Sequence, residues 1–160
     1  MKEPSSLPTQ QIGELGELLT QYQLLRFGIE SAQLTTDSGI DLVAYSPHKK
    51  EALTIQVKAN HKPRPGGGRG HLSFEWTVRD NSPADLFSFV DVSENRIWLF
   101  TKEELSHIAQ QHSKKGNFHF YIYIVSKSKL KGPKGVAAHI SNFEKYRLES
   151  RIEELFLNNK

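Results

Sequence analysis

The chain has no cysteine, which excludes disulfide staples, thiolate zinc sites, iron–sulfur clusters and thiol nucleophiles. Any metal must be held by Asp, Glu, Gln, His or carbonyl oxygen. No apolar run is long enough for a bilayer span, and the start, Met1-Lys2-Glu3-Pro4-Ser5, has no hydrophobic stretch of a secretory signal. A cytoplasmic protein without membrane association is expected. Charge of one sign is also scarce: the formal net charge is +3, too small to argue for nucleic acid by itself. There is no Gly-X-Ser-X-Gly elbow. The glycine cluster Gly66-Gly67-Gly68 has no Gly-Lys-Ser/Thr ending and no helix start behind it, so it is not a nucleotide P-loop. The seven histidines are scattered. His107 and His112 stand five apart on an expected helix, about 140° round, and so do not share a face for a metal. Internal repeats are absent, and 160 residues suffice for one domain around one core, spanning 1–160.

What is present centres on Gly39-Ile40-Asp41-Leu42-Val43-Ala44, followed by Leu53-Thr54-Ile55-Gln56-Val57-Lys58. In a strand, alternate side chains share a face, so Leu53, Ile55 and Val57 enter a core while Thr54, Gln56 and Lys58 point to the other side. If the strand bearing Asp41 pairs with this one through the turn near Ser46-Pro47-His48, a carboxylate joins an amide oxygen and an ammonium. A solvated strand face gives the same alternation. The position of Asp41, at the start of an apolar strand and just after Gly39, is what singles it out, because acids seldom stand there without a partner. Magnesium prefers oxygen ligands and keeps several waters, so Asp41, Gln56 and the carbonyl of Val57 suit Mg²⁺, with Mn²⁺ as a substitute. A metal-dependent nuclease is the expectation. Lys58, Lys62, Arg64 and Arg69 follow the proposed site, and Lys127, Lys129, Lys131 and Lys134 form a second basic stretch. Both are loops whose cations can reach phosphates, and the second reads equally as a solvated loop. Trp76 and Arg79 have two readings as well, a nucleic-acid clamp or a buried Trp beside a surface Arg.

The expected elements begin after a loose lead over residues 1–8. A helix from Thr9 or Gln10 to Phe27 carries Ile12, Leu15, Leu18, Leu19, Tyr22 and Leu25 at helical spacing, with Glu14, Glu17 and Gln21 on another face and Gly28 as a stop. Strands are expected at 29–34, 40–45 and 52–59, then a flexible basic Gly/Pro loop at 61–71. Leu72 to Trp76 reads as a short strand or a helix start. Strands at 86–92 and 96–101 flank a Ser93-Glu94-Asn95 turn. Thr101 with Glu104 makes a capping box for a helix ending near His112. A strand at 118–125 and a helix at 141–157 complete the chain, the helix bearing Tyr146, Leu148, Ile152, Leu155 and Phe156 for the core or a dimer contact. This order gives an α/β domain with a mixed sheet.

The order Glu17, Gly28, Gly39-Ile40-Asp41-Leu42 and Gln56-Val57-Lys58 resembles the PD-(D/E)XK nuclease superfamily, especially its archaeal Holliday-junction-resolvase-like branch, over about residues 10–125. Ile40-Asp41 stands for the family's Pro-Asp and Gln56-Val57-Lys58 for its acid-X-Lys. The resemblance implies a restriction-endonuclease-like fold, a central mixed β-sheet flanked by α-helices. It also implies Mg²⁺-dependent cleavage of DNA, branched or junction DNA included, leaving a 5′-phosphate and a 3′-hydroxyl. Its site would be Glu17, Asp41, Gln56 and Lys58, with the metal on Asp41, Gln56, Val57 and Glu17; from the basic cluster and the segment after it, Lys62, Arg64, Arg69 and Arg79 are expected on the nucleic acid. Glu17 lies nearly opposite the apolar stripe on the helical wheel; its distance to Gly28 favours it over its rival Glu14. Gln56 supplies a neutral oxygen where the family has a charged one. Symmetric cutting of two strands favours a homodimer. A non-catalytic nucleic-acid-binding or assembly module is the alternative, followed by an RNase or a partner-binding domain of a defence system.

Overall fold

The computed structural model describes residues 7–36, 38–66, 70–125 and 139–158. Helix α1 (Thr9–Arg26) ends where Gly28 predicts. Gly28 takes φ +76°, a left-handed conformation that glycine adopts without steric cost. Its N–H donates to the Leu25 carbonyl at 2.9 Å, and the N–H of Ile29 donates to that of Leu24 at 3.1 Å. These two bonds satisfy end carbonyls as in a Schellman motif, and Leu24 and Ile29 are buried in one cluster.

The strands are β1 (Glu30–Gln33), β2 (Leu42–Ser46), β3 (Glu51–Asn60), β4 (Arg64–Pro65), β5 (Leu72–Arg79), β6 (Leu86–Asp91) and β7 (Arg96–Thr101). Helix α2 (Lys102–Ile108), β8 (Gln111–Ser113) and β9 (Asn117–Tyr123) follow. A 3₁₀ helix (Ile140–Tyr146), α3 (Leu148–Ile152) and a π-helical turn (Glu153–Leu157) end the described chain. The central sheet is mixed, in the order β1-β2-β3-β6-β7, with β3 and β6 parallel and the other pairs antiparallel. A second, antiparallel sheet runs β4-β5-β9-β8. The expected α/β class with a central mixed sheet and flanking helices holds.

Strands β6 and β7 explain the layering, because their near-continuous apolar runs are buried on both faces. One face, with Leu86, Val90, Ile97 and Leu99, packs with Leu24 of α1 and with Leu148, Ile152 and Phe156. The other, with Phe87, Phe89, Trp98 and Phe100, meets the second sheet, α2 and the 3₁₀ helix. Trp76 stacks between Phe74 and Phe89, with ring centroids 5.3 and 4.9 Å away.

Several expectations need correction. The buried ridge of α1 is Ile12, Gly16, Thr20 and Leu24, not the larger apolar set: Leu18, Tyr22 and Leu25 are exposed. Small residues win because they let the helix approach β3 closely. A methyl group on Gly16 would stand 2.5 Å from Ala59 Cβ, and Thr20 Oγ1 bonds Ser88 Oγ at 2.9 Å. Helix α2 stops at Ile108, so His112 sits on β8 and not on a helix with His107; the capping box of Thr101 and Glu104 forms as expected. Leu72 to Trp76 is strand, and Arg64–Pro65 inside the loop pairs with β5. The expected final helix is broken at Arg147, which is extended (φ −55°, ψ 137°) between the 3₁₀ helix and α3. Its apolar side chains fill the core, as does Trp76, which is too buried to clamp a ligand.

The Gly16 contact sets opposing effects against each other. Gly16→Ala gains about 1 kcal/mol of helix propensity but overpacks β3 at a cost of about 1–3 kcal/mol. Net destabilisation in urea unfolding is expected, reversed by adding Ala59→Gly; a stabilised single mutant would refute the close approach.

Candidate functional site

Asp41 is set by the ladder at the mouth of β2. Its N–H donates to the Ile55 carbonyl at 2.9 Å, and its carbonyl accepts from Leu34 at 2.9 Å. Beyond Leu42 the pairing with β3 stops, and the Asp41 carboxylate replaces the strand: Oδ2 accepts from the Val57 N–H at 2.6 Å. This charge-assisted bond fixes the carboxylate beside the backbone that joins Gln56 to Lys58. A residue's N–H and C=O leave a strand on the same side, so the Val57 carbonyl also faces Asp41.

Gln56 and Lys58 project to the face opposite Ile55 and Val57, as alternation requires. They line a cleft of about 590 Å³ together with Ser38, Gly39, Thr77 and Arg79. Asn81, Ser82, Pro83 and Asn117 close it. Gly39 has φ +80°, the left-handed conformation that glycine adopts without steric cost, and it lies against Gln56 and Pro83. Ser82 Oγ donates to Gln56 Oε1 at 3.3 Å.

Glu17 follows Gly16 and is carried to the sheet by the same close packing. The helix is rotated relative to the apolar wheel, which is why Glu17 is partly buried rather than opposite the core. The Gln33 amide donates to Glu17 Oε2 at 3.0 Å and to Glu14 Oε1 at 3.1 Å, so both rival glutamates share one partner. Glu17 titrates above its ordinary value of 4.5, chiefly because burial disfavours its charged form; the Gln33 hydrogen bond opposes this, and the charges of Asp41 and Glu14 add to it. An acid held above its ordinary value beside other carboxylates suits a neighbouring cation. Among the described residues no three His, Asp or Glu side chains form a metal cage by themselves. Oxygen donors of this kind, a carboxylate with an amide and a carbonyl, are those that a hard, water-retaining ion accepts.

The raised value has a stability consequence. Since the folded acid holds its proton more tightly than the unfolded one, its contribution is full below the ordinary carboxylate value and is lost as pH rises through the raised value. Glu17→Gln removes this term. The variant is expected to gain stability relative to the native chain as pH rises across that window, measured as urea midpoints; a pH-independent difference would contradict it.

The structure brings Glu17, Asp41 and Val57 to one end of β2 and β3, and Gln56, Lys58 and Arg79 to one cleft. Lys62 and Arg64 are exposed beyond β3, outside the residues that line the cleft. Arg69 and the second basic stretch, Lys127 to Lys134, lie outside the described residues. The sequence reading missed Thr77, Asn81, Ser82 and Asn117, since nothing in their spacing ties β5, β9 and the β5–β6 connection to β3. A second recess, of about 620 Å³, contains Lys49 and Lys102. Their ammonium groups are engaged by the backbone carbonyls of Glu154, Leu155 and Ser82.

No family model matches the chain, and no curated protein matches it. Among solved structures it is similar to a bacterial homing endonuclease, I-Ssp6803I, with a TM-score of 0.57 over 94% of each chain at 14% identity. The chain shares the fold of that protein. At that identity the likeness concerns architecture, and the reading of the site rests on its own residues.

Proposed function

We propose that the chain is a metal-dependent DNA endonuclease of the PD-(D/E)XK kind, hydrolysing a phosphodiester to a 5′-phosphate and a 3′-hydroxyl. The observation that carries this reading is the Asp41 carboxylate locked on the Val57 amide, between a Gln and a Lys that open into a polar cleft. The fold shared with a homing endonuclease supports it. Asp41, Glu17, Gln56 Oε1 and the Val57 carbonyl would hold Mg²⁺ or Mn²⁺. When bound, such an ion polarises the scissile phosphate and acidifies a water.

The chain's own residues supply the rest. The Val57 N–H keeps Asp41 in one orientation, so no side-chain freedom is lost at the moment of reaction. Lys58 places a positive charge in the cleft for the negative charge that grows on the phosphoryl oxygens as the water oxygen attacks phosphorus and the bond to the 3′-oxygen breaks. Arg79, on the opposite wall, holds a neighbouring phosphate. A cytoplasmic homodimer, with two sites for two strands, belongs to the same proposal. A second reading, a non-catalytic DNA-binding module, is favoured by one observation: Ser82 already engages the neutral oxygen of Gln56.

The test is incubation with end-labelled linear duplex, four-way junction, single-stranded DNA and RNA in Mg²⁺, Mn²⁺ or EDTA. Metal-dependent cleavage sustains the nuclease. Equal binding with and without metal, and no cleavage, sustains the module.

A further inference from the structure

We infer that the outer face of the second sheet reads the base sequence of linear duplex DNA from the major groove. This rests on the nuclease reading and adds to it the kind of substrate. The face is defined by alternation: the inner positions Phe74, Trp76, Val78, Phe120 and Ile122 are buried in the core. The outer positions are polar, and the register aligns them in rows. Thr77 faces His119, which faces Gln111; Arg79 faces Asn117; Glu75 faces Tyr121. Glu75, Thr77, Arg79 and Gln111 are exposed, and the β9 members are half-buried.

Three features point to a duplex. The face is continuous with the proposed site, because Thr77, Arg79 and Asn117 line the same cleft as Gln56 and Lys58. An occupant whose phosphate sits at Lys58 therefore extends over it. Its chemistry is that of base edges: Asn and Gln pair with adenine and Glu with cytosine, and the antiparallel pair β5–β9 is narrow enough for a groove about 12 Å wide. Cations mark the ends rather than the middle. Lys114 and Lys115 are exposed on the β8–β9 turn beside the Asn117 end, and Arg64 pairs with Ser73 at the other. Hydrogen-bonding groups between two basic ends match a groove floor between two phosphate walls. From Ser73 to Arg79 the strand covers ~20 Å, about six base steps.

The middle row is also held in place. Thr77 Oγ1 and His119 Nδ1 lie 3.2 Å apart, and Tyr121 Oη donates to Gln111 Oε1 at 3.5 Å. Polar side chains steadied by neighbours present a fixed pattern to a base, whereas freely rotating ones do not.

The test is selection from a randomised linear duplex pool with the full chain, in EDTA and in Ca²⁺. A consensus of about four to six base pairs is expected. Thr77→Ala, Gln111→Ala and His119→Ala should each relax one or two adjacent positions. Lys114→Ala and Lys115→Ala should weaken all sequences alike and reduce the salt slope by about one per lysine. If an alanine variant shows a lowered urea midpoint, Gln111→Glu serves in its place, and its enriched base should change. No consensus, an unchanged consensus in the Thr77, Gln111 and His119 variants, or no duplex binding would each overturn the inference. Metal-dependent cleavage of single-stranded DNA or RNA without duplex preference would overturn it while sustaining the nuclease. A consensus with no cleavage would sustain it while removing the catalytic reading.

Discussion

Asp41→Asn is expected to abolish metal-dependent cleavage while leaving the fold almost untouched, and Asp41→Ala to abolish cleavage and weaken the fold as well. The two variants separate the two tasks of this carboxylate. Its Oδ2 accepts the Val57 N–H at 2.6 Å, and an asparagine oxygen can accept the same bond without the charge. Exchanging a charge-assisted bond for a neutral one costs about 1 kcal/mol, whereas alanine leaves a part-buried N–H without this acceptor at about 1–3 kcal/mol. Only the charge attracts a hard cation, so both variants lose Mn²⁺ binding, measured by titration calorimetry. Lys58→Ala should retain metal binding and stability but lose about 10²- to 10³-fold in cleavage rate, the size of effect seen when one preorganised electrostatic group is removed. Full activity in Asp41→Asn would sink the assignment. Equal loss of metal binding in Lys58→Ala would mean that the lysine organises the site instead of acting on the phosphate.

The sequence disclosed those parts of the site that lie on one strand and its partner. Alternation along Leu53 to Lys58 placed Gln56 and Lys58 together, and the short turn after Ser46 made the pairing of β2 with β3 almost unavoidable. Glu17 was legible only through the spacing to Gly28, because the helix buries Ile12 and Leu24 but leaves Leu18, Tyr22 and Leu25 exposed. Helix propensity and hydrophobicity are blind to a Gly16–Ala59 contact, in which the absence of a side chain decides the packing. Apart from Arg79, the opposite wall was illegible for a similar reason. Thr77, Arg79 and Asn117 come to the cleft through long-range pairing of β5 with β9, and such register is set by the aromatic core between the sheets rather than by any local pattern. The break at Arg147 shows the same limit, since a 3₁₀ helix, a short α-helix and a π turn share one helical apolar spacing.

Asp91→Ala is expected to cost about 3 kcal/mol of stability, the low end of the range for removing one partner of a buried ion pair because Arg96 is partly exposed, yet to leave cleavage at low temperature within about tenfold of the native chain. Asp91 is fully buried. One carboxylate oxygen accepts from the N–H and Oγ of Ser93 at 3.1 and 2.7 Å, and the other from Nε and Nη2 of Arg96 at 2.9 and 2.7 Å. Together these bonds close the turn between β6 and β7, and Arg96 also lies over the rings of Phe74 and Trp98. The comparison with Asp41 is instructive because the two acids look alike in sequence, one between Ile40 and Leu42, the other between Val90 and Val92. Both stand where a carboxylate needs a partner. Asp91 has a guanidinium, which neutralises it within the chain, and its four hydrogen bonds occupy the lone pairs a metal would use. Asp41 accepts from a backbone amide, which orients its carboxylate, and its charge is felt by a second acid, Glu17. Urea midpoints and cleavage rates of the two alanine variants should therefore move in opposite proportion. A large stability loss in Asp41→Ala beside a dead Asp91→Ala that folds would reverse the roles assigned here to the two carboxylates.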